Sequence, residues 1–230
     1  MKWDDLKQGL SSGDPAAYIQ NLRDSGALKE ALPEVDVLFG VPQVPEYHPE
    51  IDTGIHTLMV VKRAAELSDD VGVRFAALVH DLGKGLTPEE EWPKHIGHEE
   101  SGVGPVRDVV RRLCVPDDIA DLAEKVTRYH LHAHRALEMR PGKIVSLLEN
   151  IGAFENPENF ERFLITVQAD KQGRLGMEDK PYPQAEYLRQ AHSAVRNSMA
   201  LERDPERIKI RCNEAVSKLK KLSANGKAVE

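Results

Sequence analysis

Apolar side chains recur at three- and four-residue spacing along almost the whole of this chain, and no strict alternation interrupts them. That period belongs to the α-helix, because only a 3.6-residue turn brings i, i+3, i+4 and i+7 onto one face. The chain is therefore expected to be all-α. Prolines and glycines cut the pattern into lengths. Asp14-Pro15 reads as an N-cap followed by proline at the first helical position, and the helix through Tyr18, Ile19 and Leu22 stops near Gly26. Ala27 to Leu32 adds a turn or two before Pro33. Gly40, Pro42, Pro45 and Pro49 forbid regular structure between Phe39 and Pro49. A helix begins near Asp52-Thr53, and a second runs from about Val73 to Leu82 with Gly83 as its natural C-terminal cap.

After a polar loop from Lys84 to Gly97, helices are expected over His98 to Leu113 and from Pro116-Asp117 to His130. Others cover Lys143 to Ile151, Pro157 to Asp170, about Gln184 to Asn197 and Pro205 to Leu222, and Ser223 to Glu230 should fray. The expected organisation has a helical connector over residues 1–41, a main helical domain over 42–200, and a C-terminal helix and tail over 201–230.

With 230 residues, 40% of them hydrophobic and 30% charged, the chain has the composition of an ordinary globular protein. No apolar stretch approaches a membrane span, and the polar, acidic start Met1-Lys2-Trp3-Asp4-Asp5 has no signal-peptide core, so the expected location is the cytoplasm. A net charge of −7 argues against coating nucleic acid through broad phosphate contacts. The tail carries Lys209, Arg211, Lys218, Lys220, Lys221 and Lys227, which read first as a solvated helix face. Cys114 and Cys212 form no CxxC pair and suggest no disulfide framework, so any metal ligands must come from His, Asp and Glu.

His80-Asp81 stands at the end of an apolar helical run and leads directly into Leu82-Gly83-Lys84. His56 lies upstream; His95, His98, His130 and Asp170 lie downstream. Imidazole nitrogen with carboxylate oxygen makes a divalent-metal site. On successive helical positions the His80 and Asp81 side chains diverge by about 100°, yet both reach one ion placed near the helix end. An acid at that end opposes the helix dipole, an unfavourable placement that a cation relieves. The short connection between the two helices makes them antiparallel neighbours, which brings His56 to the pair. Ligands drawn from separate helices toward one bundle interior are how helical proteins build metal sites.

Plainer readings stay open for each residue. His56 could be a surface histidine, Asp170 a partner for Lys171 or Arg174, and Lys84 an exposed cation at a helix end. His98 and His130 could ligate a second ion with Asp81 bridging, and His95 could touch substrate. His132, His134 and His192 read as ordinary polar residues. Lys84 is not a P-loop lysine, because Leu78 stands where that motif requires glycine.

The order His56, His80-Asp81, Asp170 resembles that of the HD-domain metal-dependent phosphohydrolases. Longer stretches narrow the resemblance: Leu38-Phe39-Gly40-Val41-Pro42, the run from His48-Pro49-Glu50 to Leu58, and Val73-Arg74-Phe75-Ala76 leading through His80-Asp81 to Thr87-Pro88. So do Trp92-Pro93, His95, Gly97-His98, Ala169-Asp170, Gly173-Arg174 and Tyr182-Pro183-Gln184. These are similar to the C-terminal HD portion of the bacterial multifunctional CCA-adding tRNA nucleotidyltransferases. The glycine-rich segment with two catalytic carboxylates of that family's nucleotidyltransfer half does not appear in this sequence, so CCA addition is not carried over.

The resemblance implies an HD-domain helical bundle with a short N-terminal helical segment. It implies a metal-dependent phosphohydrolase acting on a nucleotide or an RNA-end phosphate, with 2′,3′-cyclic phosphodiesterase and 2′-nucleotidase or phosphatase activity. His56, His80, Asp81 and Asp170 would hold Ni²⁺, Mn²⁺, Co²⁺ or Mg²⁺, with His98 and His130 completing a second position. Asp81, Lys84 and His98 would serve catalysis, and Lys84, His95 and Arg174 would meet substrate. Two rivals remain: a 5′-nucleotidase or guanosine-polyphosphate hydrolase on the same scaffold, and a non-catalytic tRNA- or RNA-binding or dimerisation module. Such a bundle with an N-terminal helical arm could also pair with a second copy.

Overall fold

The structure, a computed structural model, describes residues 1–200 and 204–224. Lys227 of the basic tail and the end beyond residue 224 lie outside the described residues. Helices dominate: α1 (Trp3–Leu10), α2 (Pro15–Asp24), α3 (Ala27–Ala31), α4 (Pro33–Asp36), α5 (Thr53–Leu67), α6 (Val71–Val79), α7 (His98–Ser101) and α8 (Val103–Leu113). They continue with α9 (Asp117–His134), α10 (Pro141–Asn150), α11 (Pro157–Gln172), α12 (Pro183–Ala200) and α13 (Pro205–Ala224). Two short 3-10 turns, Leu82–Leu86 and Glu89–Glu91, lie between α6 and α7. Among the described residues no strand forms, and the one isolated antiparallel bridge joins Pro42 to Asp52. The fold is all-α.

The residues group into two compact units that are discontinuous in sequence: residues 1–130 with 161–181, and 131–160 with 182–230. In the first, α1 was not expected from its acidic composition. Trp3, Leu6 and Leu10 nevertheless share one buried face, and Asp5 caps the helix by accepting from the Lys2 amide at 2.8 Å. Trp3 meets Phe75 edge-on with ring centroids 5.4 Å apart.

α6 is buried on every side from Gly72 to Val79. Its one charged residue, Arg74, is satisfied by donating to the backbone carbonyls of Leu10 and Ser68. Asp70 caps its start by accepting from the Gly72 and Val73 amides. This helix fixes where His80 and Asp81 emerge.

Two departures from the expected pattern shape that exit. The α-helix stops at Val79 rather than Leu82. His80 keeps helical angles as the cap, whereas Asp81 leaves them at φ −108° and ψ 15°. Gly83 is not a left-handed cap but lies inside the 3-10 turn. Glycine is needed there for closeness, since a Cβ would stand 2.0 Å from the His98 carbonyl oxygen and 2.8 Å from the Gly102 nitrogen. The helix expected from His98 to Leu113 is correspondingly divided at Gly102, where α7 meets α8. At the far end of α11, a Cβ on Gly173 would lie 2.8 Å from the Val60 Cα. That contact sets the end of α11 tightly against α5.

The second unit is an apolar packing of α10, α12 and α13, with Leu148, Leu188, Val195 and Val216 fully buried. Lys209, Arg211, Lys218 and Lys221 are exposed on α13, as a solvated face requires, while Lys220 donates to the Met139 carbonyl at 2.8 Å.

Candidate metal centre

The end of α6, the first turns of α5, the starts of α7 and the 3-10 turn, the last part of α9 and the end of α11 meet in the first unit. Each supplies a buried polar side chain: His56 from α5, His80 and Asp81 from α6, Lys84 from the 3-10 turn, His98 from α7, His130 from α9, and Asp170 and Arg174 from α11 and its exit. Burying so many polar groups is costly unless they are paired or hold an ion.

Asp81 occupies the middle. Its Oδ2 accepts from Lys84 Nζ at 2.7 Å and lies 3.1 Å from His80 Nε2 and 4.0 Å from His56 Nε2. Its Oδ1 lies 3.2 Å from His98 Nε2 and 3.7 Å from His130 Nε2. Asp170 Oδ1 is 3.2 Å from His56 Nε2 and 3.9 Å from His80 Nε2, and it accepts from Arg174 Nη2 at 3.3 Å. The ligating atoms fall into two triads, His56, His80 and Asp170, and Asp81, His98 and His130, each with its atoms within 4.8 Å of one another.

The tautomers decide what these contacts mean. His80 Nδ1 lies 2.8 Å from the Ala77 carbonyl, His98 Nδ1 2.8 Å from the His95 carbonyl, and His130 Nδ1 3.0 Å from the Thr127 carbonyl. His56 Nδ1 lies 2.8 Å from Glu50 Oε1. A carbonyl or carboxylate oxygen only accepts, so in each neutral ring the proton sits on Nδ1 and Nε2 carries a lone pair. The four Nε2 lone pairs therefore face carboxylate oxygens and one another, with His98 and His130 Nε2 3.4 Å apart. Both ring nitrogens of His56, Nε2 of His80 and Oδ1 of Asp81 are buried without a well-aligned hydrogen bond, the 2.8 Å contact of His56 Nδ1 with Glu50 lying off the N–H direction. Acceptors aimed at acceptors are repulsive unless a cation lies between them. Ligands about 2.1 Å from one ion stand roughly 3–4 Å apart, and the contacts within each triad have that spacing. The residues fit a divalent metal.

Electrostatics follow the same layout. Burial raises the Asp81 carboxyl, but His80 and Lys84 outweigh it and hold the group well below the usual carboxylate range. Burial lowers His80, yet the adjacent Asp81 carries it above its ordinary value. Burial leaves His130 far below its ordinary value, so this ring is neutral and ready to ligate.

Lys84 is 6% exposed and also donates to Gln43 Oε1, which removes the reading of a solvated helix-end cation. His56 and Asp170 are buried against one another, not at the surface. His95 is buried, and its Nε2 donates to the Pro42 carbonyl at 2.7 Å. Only its Nδ1 is left, and its backbone carbonyl fixes His98. His132 is exposed, and His134 and His192 lie in the second unit. The sequence assigns no site role to Gln43, His48 or Glu50, because they sit in the proline-rich segment where no periodicity gives a facing.

Residues 53–167 match the HD domain family, half of the chain, so the chain belongs to that family. It is 52% identical over 191 residues to the Multifunctional CCA protein of Thioalkalivibrio sulfidiphilus (strain HL-EbGR7), covering 83% of this chain and 47% of that protein. It is 48% identical over 207 residues to the protein of the same name from Acinetobacter baumannii (strain AYE), covering 90% of this chain and 50% of that protein. The chain thus spans about half the length of the curated relatives it matches. No helix among the described residues is long and apolar enough to cross a membrane.

Proposed function

We propose that this chain is a metal-dependent phosphohydrolase that cleaves phosphate esters of nucleotides or RNA ends in the cytoplasm. Its favoured reaction is 2′,3′-cyclic phosphodiester hydrolysis, with 2′-nucleotidase or phosphatase activity beside it. The observation that carries this reading is the convergence of four Nε2 lone pairs on the two carboxylates Asp81 and Asp170. His56, His80, Asp81 and Asp170 would hold one divalent ion (Ni²⁺, Mn²⁺, Co²⁺ or Mg²⁺), and His98 and His130 with Asp81 a second. When bound, such an ion lowers the pKa of its water toward neutrality and polarises a phosphoryl oxygen.

The chain's own groups complete the task. Lys84 and Arg174, each bonded to one carboxylate, keep positive charge beside the ester and offset the charge that builds on phosphorus-bound oxygen during attack. The Nε2 of His98 lies against Asp81 and His130, which favours ligation over donation of a proton to the leaving group. His95 contributes by holding His98 through its carbonyl, and substrate contact would use its Nδ1.

The test is metal analysis of the purified protein, followed by turnover of bis-p-nitrophenyl phosphate with added Mn²⁺ or Ni²⁺. A panel of 2′,3′-cyclic nucleotides, 5′-monophosphates and pyrophosphates then separates the reactions. Tight metal with fastest cleavage of the cyclic esters is the expected result. A preference for 5′-monophosphates or guanosine polyphosphates would replace the substrate assignment. Absence of both metal and turnover would favour a non-catalytic RNA-binding or dimerising module.

A further inference from the structure

Three of the four imidazoles in the centre are oriented by the carbonyl three residues earlier in the chain: Ala77 for His80, His95 for His98 and Thr127 for His130. His56 is the exception. It lies in the first turn of α5, where the carbonyl three residues back, that of Thr53, is already taken by the Thr57 hydroxyl at 2.9 Å. The acceptor beside His56 Nδ1 is instead a side-chain carboxylate, Glu50, whose Oε1 lies 2.8 Å away, off the N–H direction.

The backbone is bent to bring it there. Ile51, a β-branched residue, takes φ +62°, a left-handed conformation that such side chains rarely adopt. The turn is tied by Ile51 N to the His48 carbonyl at 2.8 Å, by Asp52 N to the Glu50 carbonyl at 2.7 Å, and by Gln43 N to the Ile51 carbonyl at 2.6 Å. Strain of this kind persists where the surroundings over-determine it, and it gathers at functional sites. The Glu50 side chain is 3% exposed, although its residue stands in an otherwise exposed loop.

On these grounds we infer that Glu50 is a positioning residue of the metal centre, which supplies the acceptor that the helix start withholds from His56 and so keeps the His56 proton on Nδ1 and its Nε2 lone pair turned toward Asp170. The inference rests on the metal reading above for its purpose, but not for its geometry. His48, whose Nδ1 is 3.0 Å from the same Glu50 oxygen, steadies the carboxylate and is not required for the His56 tautomer. His48, Glu50 and His56 also have spacing suited to an ion of their own. At 2.8 Å, Glu50 Oε1 stands closer to His56 Nδ1 than the 3.2–3.9 Å spacings between ligand atoms within the two triads, which speaks for a direct contact and the positioning role.

The experiment uses the full chain with ¹⁵N-labelled histidine and the variants Glu50→Ala, Glu50→Gln and His48→Ala. Long-range ¹H–¹⁵N spectra of the metal-free protein read the His56 tautomer, and Mn²⁺ titration reads affinity and stoichiometry. Wild type and His48→Ala should show the Nδ1–H form of His56. Glu50→Ala should shift it toward Nε2–H and weaken Mn²⁺ roughly 10–100-fold, the usual cost of losing a group that orients a ligand. Glu50→Gln, which retains an accepting oxygen, should lose less, and it decides the matter if Glu50→Ala does not fold. An unchanged tautomer with Mn²⁺ affinity within about twofold of wild type in the folded Glu50 variants would overturn the inference. Loss of one Mn²⁺ per chain in His48→Ala would overturn it too, in favour of a third ion. A wild type that locks the tautomer yet binds no Mn²⁺ would sink the metal reading and leave the role of Glu50 in place.

Discussion

The two units use histidine differently. In the second, His134 Nδ1 lies 3.0 Å from the Tyr182 hydroxyl, and the His192 ring lies 5.1 Å from that of Phe154 and 5.0 Å from that of Phe160. These imidazoles behave as polar aromatics fitted into a helical packing. In the first unit, His56, His80, His98 and His130 turn their Nε2 atoms toward carboxylates and each other. Both sets lie on or at the ends of helices; the set in the first unit is buried and that in the second partly so. What separates them is whether the ring packs on aromatic and hydroxyl neighbours or turns its Nε2 toward other lone pairs. Only the second situation calls for a cation.

The largest expected effect breaks the first set at its middle. Asp81→Asn removes a carboxylate that touches both triads and should lower turnover of bis-p-nitrophenyl phosphate by about a thousandfold or more, with circular dichroism reporting the fold intact. A variant that retained a near-normal rate would contradict the assignment.

Next is the packing that delivers His98. Gly83→Ala forces a Cβ against the His98 carbonyl and should destabilise by about 2–4 kcal/mol. Gly104→Ala, on α8 with nothing within 4 Å of its Cβ, should be neutral or stabilising by about 0.5–1 kcal/mol. Thermal melts of the two proteins make the comparison, and equal Tm values would deny the close approach.

A third expectation concerns pH. Burial, the first cause for each, lowers His130, His95 and His48, the last to about 4. The unfolded chain then takes up these protons first, so their contribution to stability is full above about pH 6.5 and is lost as the pH falls toward 4. His80 has the opposite sign: raised by Asp81 over its burial, it adds stability below about pH 6.5 that is lost as pH rises through its folded value. Three groups against one predict a lower Tm at pH 5 than at pH 7 for the metal-free protein. Mn²⁺ affinity should weaken over the same descent, because the imidazoles ligate only when neutral. A Tm that rises on acidification would refute the buried, neutral state of His130.

The smallest effect belongs to the second unit. His192→Phe keeps a ring between Phe154 and Phe160 and should leave Mn²⁺ binding within about twofold, by calorimetry. A large loss would erase the contrast between the two sets.

Much of this was legible in the residues. The 3.6-residue period announced the helices, and Asp14, Asp52 and Pro157 marked starts that the structure keeps. His56, His80-Asp81 and Asp170 were readable because each sits on or at the end of a periodic helix whose inner face is defined by its apolar neighbours. Helix α1 was not, since acidic residues masked the buried spacing of Trp3, Leu6 and Leu10. Gly83 was legible as important but for another reason: a cap and a close approach both demand glycine, and only the position of His98 tells them apart. Glu50 was hidden because its facing depends on one left-handed residue, Ile51, that no pattern encodes.

Anomalous diffraction from crystals grown with Mn²⁺ shows whether the centre holds metal. A peak is expected within bonding distance of His56 Nε2, His80 Nε2 and Asp170, with Asp81 between it and a second position at His98 and His130. Saturating Mn²⁺ that leaves no peak there, with the four Nε2 atoms still turned on the carboxylates, would contradict the metal assignment.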